Sequence, residues 1–177
     1  ELIIIDDGST DNSKEICKNL SKKDDRIIFI NNSHRGLTIS LNEALEIAKG
    51  KFIARQDADD VSLPERFEKQ VKWFLKDERR VLCGTNCKIL NENNIYKNNK
   101  SLKFTNSKII KKLKYSNCFV HSSTMFLRNS AKNLGYYDVN LEYAQDYDLW
   151  WKLTTLGEVG NLNEKLLILR DRKNSIS

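Results

Sequence analysis

The feature that most constrains this chain is a short apolar run, Leu2-Ile3-Ile4-Ile5, that breaks off into Asp6-Asp7-Gly8-Ser9. Three successive isoleucines are stiff at χ1 and favour extended backbone. A run with no polar alternation suits a strand covered on both faces, which is the habit of parallel sheets. Such a strand needs neighbours. A chain in which Glu1 leads straight into it is expected to have lost an upstream element. The polar cluster from Asp6 to Ser13 reads as a loop and then a helix start, with Ser, Thr and Asp available as caps.

Strand and helix signals then alternate. A helix runs to about Leu20, with Ile16, Cys17 and Leu20 inward. Arg26–Ile30 reads as a strand. Gly36 opens a second helix with Leu37, Leu41, Leu45 and Ala48 at helical spacing, and Gly50 stands where a C-terminal cap belongs. Phe52-Ile53-Ala54 is a strand that runs into Gln56-Asp57-Ala58-Asp59-Asp60. Ser62-Leu63-Pro64-Glu65 has capping-box spacing, and Leu63, Phe67, Val71, Phe74 and Leu75 give the next helix an apolar stripe. Val81–Gly84 is a further strand. This alternation predicts an α/β fold, a Rossmann-like and mostly parallel sheet flanked by helices. The second half is less regular, with a basic helix at Ser107–Tyr115, a strand at Thr124–Leu127, a helix at Tyr147–Leu156 stopped by Gly157, and a strand at Leu166–Leu169.

Length and composition narrow the classes. At 177 residues with one proline and no low-complexity tract, the chain is expected to be one domain without a linker. No apolar run approaches the roughly 20 residues of a membrane helix, and no signal peptide opens the sequence. The net charge of +6 is unevenly spread. Between Asn93 and Tyr137 there is no acid, while Lys97, Lys100, Lys103, Lys108, Lys111, Lys112, Lys114, Arg128 and Lys132 are present. Such a stretch can attract nucleic acid, an anionic membrane surface or a phosphorylated acceptor; a solvated basic face is the plainer reading. Cys17, Cys83, Cys87 and Cys118 lack the partner spacing of a zinc site and are expected to be free, buried thiols in a reducing compartment.

The acidic clusters carry the chemistry. Asp6-Asp7 and Asp57-Ala58-Asp59-Asp60 both follow strands, and ligands of open α/β sheets bind at the carboxyl ends of strands. Three carboxylates within four residues repel one another unless a cation or several donors compensate. Mg²⁺ or Mn²⁺ is a natural partner, taking oxygen ligands from one or two carboxylates and from substrate phosphates. A metal held there would bridge to a diphosphate and stabilise the charge of a leaving group. Taken singly, each cluster is served as well by helix capping.

Taken together, the segments resemble family 2 glycosyltransferases, which have the GT-A fold. The resemblance rests on Leu2-Ile3-Ile4-Ile5-Asp6-Asp7-Gly8-Ser9-Thr10-Asp11-Asn12-Ser13, on Arg35-Gly36-Leu37 with Leu41-Asn42, and on Ala48 through Asp60 with its Asp-x-Asp pair. It continues in Leu63-Pro64-Glu65-Arg66-Phe67, in His121-Ser122-Ser123-Thr124-Met125-Phe126, and in Gln145-Asp146-Tyr147-Asp148-Leu149-Trp150. It spans nearly the whole chain, in the family's order.

The resemblance implies an inverting transfer of a sugar from a nucleotide-diphosphate sugar, with a UDP-sugar favoured, to a hydroxyl of a saccharide or lipid-linked acceptor. Cell-surface polysaccharide or glycolipid synthesis is the implied setting. Asp7, with Asp6, would contact the nucleoside, and Arg35 would touch the nucleotide. Asp57 and Asp59 would flank ribose, diphosphate and a Mn²⁺ or Mg²⁺ ion, Asp59 as the direct ligand. Asp146 would be the general base. Residues 1–92 would form the nucleotide-sugar half and 93–177 the acceptor half. The family's first strand, with its nucleotide-contacting proline and aromatic residue, has no counterpart here. Gln145 stands where Glu is frequent, and Arg172 stands where His is frequent and can contact the diphosphate instead. The protein is expected in the cytoplasm, with peripheral contact to the inner membrane face.

Other residues have plainer uses. His121 reads either as an acceptor-site group or as a hydrogen-bonded histidine, and His34 as surface loop. Trp150 and Trp151 cannot share a helix face, so one is expected in the core. Asp148 is expected to be structural. Three other classes compete: a nucleotidyltransferase, a nucleic-acid-binding module using the basic stretch, and a catalytically dead scaffold. No glycine-rich phosphate loop and no nucleic-acid motif supports the first two, and the retained Asp57, Asp59 and Asp146 speak against the third.

Overall fold

The computed structural model describes residues 1–91, 93, 95–97 and 105–171. In chain order the elements are β1 (Leu2–Asp6), α1 (Ser13–Ser21), β2 (Ile27–Asn31), α2 (Leu37–Ile47), β3 (Phe52–Ala54), β4 (Val61–Ser62), α3 (Arg66–Phe74) and β5 (Arg80–Leu90). Then follow β6 (Tyr96–Lys97), α4 (Asn106–Leu113), a 3₁₀ turn (His121–Ser123), β7 (Met125–Leu127), α5 (Arg128–Asn133), α6 (Gln145–Leu153) and β8 (Glu158–Arg170).

The strands form two sheets. β1 and β2 pair in parallel as a two-stranded sheet. The other six are ordered β3-β7-β5-β8-β4, with β6 on the end of β5. Here β5 and β8 run parallel, and the pairs β3–β7, β5–β7, β4–β8 and β5–β6 are antiparallel. The α/β class therefore holds, but the six-stranded sheet is mixed where the alternation predicted a mostly parallel one. Only helical crossovers oblige successive strands to run parallel. β7 follows a 3₁₀ turn and β4 leaves the acidic loop directly, so both are free to run the other way.

The core lies on the six-stranded sheet. Val81 through Cys87 of β5 are all buried, as befits a central strand covered on both faces. Leu82, Phe126, Leu149, Trp150, Leu153 and Val159 pack there with Ile109 and Leu113 of α4, so the basic helix is amphipathic and turns its isoleucine and leucine inward. Trp150 is fully buried and Trp151 is 40% exposed, which divides the pair as its spacing requires.

Several local expectations shift. α1 buries no residue, and Ile16 and Leu20 are exposed because two strands alone give the helix too little surface to cover. The α3 stripe fails in part: Phe67 and Leu75 are exposed, and the buried face carries Arg66, Gln70 and Phe74. Ser62 sits in β4 and the helix starts at Arg66, so no capping box forms. α2 ends at Ala48 in extended conformation, without a left-handed glycine at Gly50. β5 and β8 run well beyond the expected Val81–Gly84 and Leu166–Leu169, and α5 was not expected. All four cysteines are free; Cys83, Cys87 and Cys118 are buried and Cys17 is partly so. Burial pushes the Cys83 thiol up to about 12, which makes it inert as a nucleophile.

Candidate active site

Two loops bring the predicted acids to strand ends. After β1, Asp6 turns inward and is buried, accepting the Ser9 N–H at 2.9 Å through Oδ1, while its Oδ2 has no hydrogen-bond partner. Asp7 reaches across to the turn before α2. Its two oxygens accept the N–H groups of Arg35 and Gly36, each at 2.8 Å. Burial alone would raise the Asp7 carboxyl, but these two backbone donors, together with Ser40 and His34, hold it below the usual aspartate value. Gly8 makes the crossing possible. Its φ of +92° is left-handed, and a Cβ there would meet the His34 nitrogen at 3.1 Å. Asp7 and Arg35 are thus joined through Arg35's backbone, while the Arg35 guanidinium lies 3.6 Å from Glu43 and half exposed. His34 is exposed with φ of +58°, as a surface loop residue.

The second acidic loop is anchored by three hydrogen bonds to two neighbouring elements. Arg55 N–H donates to the Thr124 carbonyl, and Asp57 N–H donates to the Ser122 hydroxyl, which ties the loop to the turn before β7. Asp60 is buried and its Oδ1 accepts the Arg170 N–H at 3.0 Å, which ties the loop to the end of β8. Burial raises the Asp60 carboxyl; its bonds to Arg170 and Ser122 oppose this, and neighbouring Asp57 and Asp59 add to it. Asp57 forms an ion pair with Arg55, whose side chain is only 6% exposed. Asp59 is half-buried on the same turn.

Asp146 occupies the second position of α6, where the helix N-terminus favours an anion. Its Oδ1 accepts the Tyr147 N–H at 2.7 Å and its Oδ2 accepts the Asn117 amide at 2.9 Å. Each oxygen keeps a lone pair for another donor. Ala144 precedes the helix in left-handed conformation, φ +59°, and Asp148 pairs with Lys152 at 2.7 Å in the structural role expected of it.

A hydrogen-bonded pair, Tyr137 buried and His121 half-buried, sits between the turn that holds the acidic loop and α6. The His121 ring nitrogen Nε2 meets the Tyr137 hydroxyl at 2.9 Å, and both rings pack on Trp150. Burial raises the Tyr137 hydroxyl; Arg55 opposes this, and the carboxylates of Asp146 and Asp57 reinforce it. Burial, then Arg55, push His121 well below the usual histidine value, so it stays a neutral hydrogen-bonding partner. Tyr137 therefore lies within electrostatic reach of both Asp57 and Asp146, which are 89 residues apart in sequence (146 − 57).

The structure thus joins Asp7 and Arg35 at the turn into α2, with Asp6 beside them on β1, and it sets Asp57 and Asp59 on one loop and Asp146 at the start of α6. Sequence reasoning gave no role to Arg55, Asn117, Ser122 or Tyr137. Arg55 carried a signal, a cation two residues before the first acid of the Asp-x-Asp pair; Asn117 and Tyr137 carried none. Arg172 lies outside the described residues, as do Lys100 and Lys103 of the basic stretch. The remaining basic residues are divided, with Lys97 in β6, Lys108, Lys111, Lys112 and Lys114 at α4 and Arg128 and Lys132 on α5. No described helix is long and apolar enough to cross a membrane.

For a metal, no group of three His, Cys, Asp or Glu side chains converges among the described residues. Mg²⁺ or Mn²⁺ needs only one or two protein carboxylates when phosphates and water complete its shell. The all-oxygen pair Asp57 and Asp59 fits that requirement, with the Arg55–Asp57 ion pair showing that the loop already draws cationic charge.

Comparison with known proteins gives the family and the fold. Residues 1–135 match the family model described as Glycosyl transferase family 2. The O-antigen biosynthesis glycosyltransferase WbnJ of Escherichia coli is 37% identical over 167 residues, covering 92% of this chain and 62% of that protein. Among solved structures, S. aureus TarS 1-349 in complex with UDP-GlcNAc superposes with a TM-score of 0.77 at 20% identity, over 99% of this chain and 50% of that one. The mannosyltransferase PcManGT of Pyrobaculum calidifontis in complex with GDP-Man and Mn²⁺ gives 0.71 at 18% identity, over 99% and 49%. The chain spans from 49% to 62% of the length of these proteins, and its fold is theirs, the GT-A fold of glycosyltransferases. With its acids placed at the strand ends of that fold, the chain belongs to glycosyl transferase family 2.

Proposed function

We propose that this protein is a metal-dependent, inverting glycosyltransferase that moves a sugar from a UDP-sugar to a hydroxyl of a saccharide or lipid-linked acceptor in cell-surface polysaccharide or glycolipid synthesis. The observation that supports the reading is that the Asp57 backbone is bonded to Ser122, on the same turn as His121, whose ring packs on Trp150 of α6, the helix that bears Asp146. It ties the acidic loop to the helix of Asp146 in a member of a glycosyltransferase family, which supports a donor-side role for Asp57 and an acceptor-side role for Asp146. The relative named for O-antigen biosynthesis and the neighbour solved with UDP-GlcNAc support the setting and the donor.

In this reading residues 1–92 bind the donor and 93–177 the acceptor. Asp6, Asp7 and Arg35 contact the nucleoside end. Asp57 and Asp59 hold Mn²⁺ or Mg²⁺, which when bound stabilises the negative charge of the departing diphosphate. Asp146 accepts the proton of the acceptor hydroxyl as its oxygen bonds to the anomeric carbon. The carbon–oxygen bond to the diphosphate breaks on the opposite face, and the diphosphate leaves with the electron pair. Asn117 and the Tyr147 N–H keep the Asp146 carboxylate turned toward that proton. The single displacement inverts the anomeric centre. The enzyme works in the cytoplasm, with the Lys108–Lys114 face of α4 against the inner membrane surface. Substituting those lysines and measuring binding to anionic vesicles tests that contact, and unchanged binding would remove it.

The test of the chemistry is a proton NMR assay of the full-length protein with Mn²⁺ and a panel of α-linked UDP- and GDP-sugars. A β-anomer as the first product, from water or an added acceptor, is the expected result. An α-anomer first would overturn the inverting mechanism.

A further inference from the structure

The buried face of α3 holds a cation where an apolar stripe was expected. Arg66 has no solvent exposure, and no carboxylate bonds to it. A guanidinium has five N–H donors in a fixed fork, and here all five are used. Nε donates to Gln70 Oε1 at 3.1 Å. Nη1 donates to Gln56 Oε1 at 3.0 Å and to Ser62 Oγ at 2.7 Å. Nη2 donates to the carbonyls of Arg55 at 2.8 Å and Thr124 at 3.0 Å. Gln70, also fully buried, completes the unit by donating to the carbonyls of Cys83 and Ser123.

The acceptors are not scattered. Arg55 and Gln56 lead into the acidic loop, Ser62 leads out of it, and Thr124 immediately precedes β7 beside it. One side chain therefore closes the neck of the 56–62 segment and locks it to β7. Burying a charge among neutral acceptors is costly, and apolar side chains of similar size stabilise such positions as well or better. Burial pulls the Arg66 guanidinium down to about 10, still cationic at neutral pH, with Asp60 supporting the charge and Arg55 opposing it.

We infer that Arg66 is a positioning residue that fixes the spacing and direction of Asp57 and Asp59 before donor and cation arrive. The inference rests on the donor-site reading above and deepens it. A preorganised loop does not have to be ordered at the moment of binding, so the cost of crowding its carboxylates is met within the fold.

The test uses the full-length protein with Arg66→Lys, which keeps the charge but has three donors, and Arg66→Met, which has neither. Ile109→Ala, in the core cluster on α4, is the control for lost stability alone. Two quantities are read below the melting temperature of every variant: Mn²⁺-dependent affinity for UDP and GDP by calorimetry, and hydrogen exchange of the 55–62 backbone. Both Arg66 variants are expected to weaken nucleotide binding about tenfold or more and to speed exchange in 55–62, Met beyond Lys, while Ile109→Ala leaves affinity within about twofold. Equal affinities in the Arg66 variants and the control would overturn the inference while leaving the donor site intact. Absence of nucleotide binding by the wild type would overturn the donor site itself, and unchanged exchange in 55–62 would then overturn the positioning role as well. If neither Arg66 variant folds, the exposed Gln56→Ala removes one of the loop-side acceptors. A loss of about threefold is expected there, and no loss overturns the inference.

Discussion

The two sheets of this protein are built from similarly apolar strands and reach different degrees of burial. β1 and β2 read Leu-Ile-Ile-Ile and Ile-Ile-Phe-Ile, yet their apolar residues are half-buried or exposed, and the helix packed on them buries nothing. β5 reads Val-Leu-Cys-Gly-Thr-Asn-Cys over its buried stretch, a more polar sequence, and is buried without a break. Apolar composition sets a strand's preference for cover; neighbours on both edges and both faces decide whether it gets any. Among the described residues β1 has one neighbour and β5 has three. A two-stranded unit is marginal in isolation. The acids at the end of β1 therefore stand on the weaker support, and the Asp57–Asp60 loop and Asp146 stand on the stronger.

The largest expected effect tests the stronger side. Asp146→Asn should lower turnover by about 10²–10⁴-fold, the range for loss of a general base, while nucleotide affinity stays the same. A parallel fall in affinity would mean that α6 and the acidic loop are not separable.

Next comes the comparison itself. Leu82→Ala in β5 should cost about 2–5 kcal/mol in urea unfolding, because Leu82 is wholly buried. Ile4→Ala in half-buried β1 should cost about half as much or less, in proportion to the smaller area it covers. Equal costs would show that β1 is covered as well as β5. Hydrogen exchange should follow the same order, with β1, β2 and α1 opening before β5 and β8.

The smallest effect concerns Asp7. Losing its two bonds to Arg35 and Gly36 should cost about 0.5–2 kcal/mol in Asp7→Ala, like the loss of a cap. The sign of its pH dependence is set by a folded value held below the ordinary 3.8. The contribution is fully present above 3.8 and drains away as pH falls through the lower folded value. Wild type and Asp7→Ala should therefore converge in stability in strong acid, and a difference that grows there would reverse the assignment.

Much of this was legible in the sequence. The strand–loop–helix order of the first half, the placing of Asp6-Asp7 and Asp57–Asp60 at strand ends, and the division of Trp150 from Trp151 all follow from short-range patterns. The mixed pairing was not legible, because β7 is three residues long and enters from an irregular segment. The polar face of α3 was misread for a related reason. Arg66 and Gln70 stand four apart and so share a helix face, but a helical pattern cannot tell whether that face meets water or the underside of a loop. Asn117 and Tyr137 join the site only through tertiary contacts, since each meets its partner across the fold.

One measurement tests the central claim most directly, that the acidic loop and Asp146 serve two roles at one site. It is calorimetric titration of the full-length protein with UDP and GDP, with and without Mn²⁺, for wild type, Asp59→Ala and Asp146→Asn. The account predicts metal-dependent binding of one nucleotide by wild type, its loss in Asp59→Ala, and its retention in Asp146→Asn. Binding that ignores both Mn²⁺ and Asp59→Ala, or that fails in Asp146→Asn as fully as in Asp59→Ala, would contradict it.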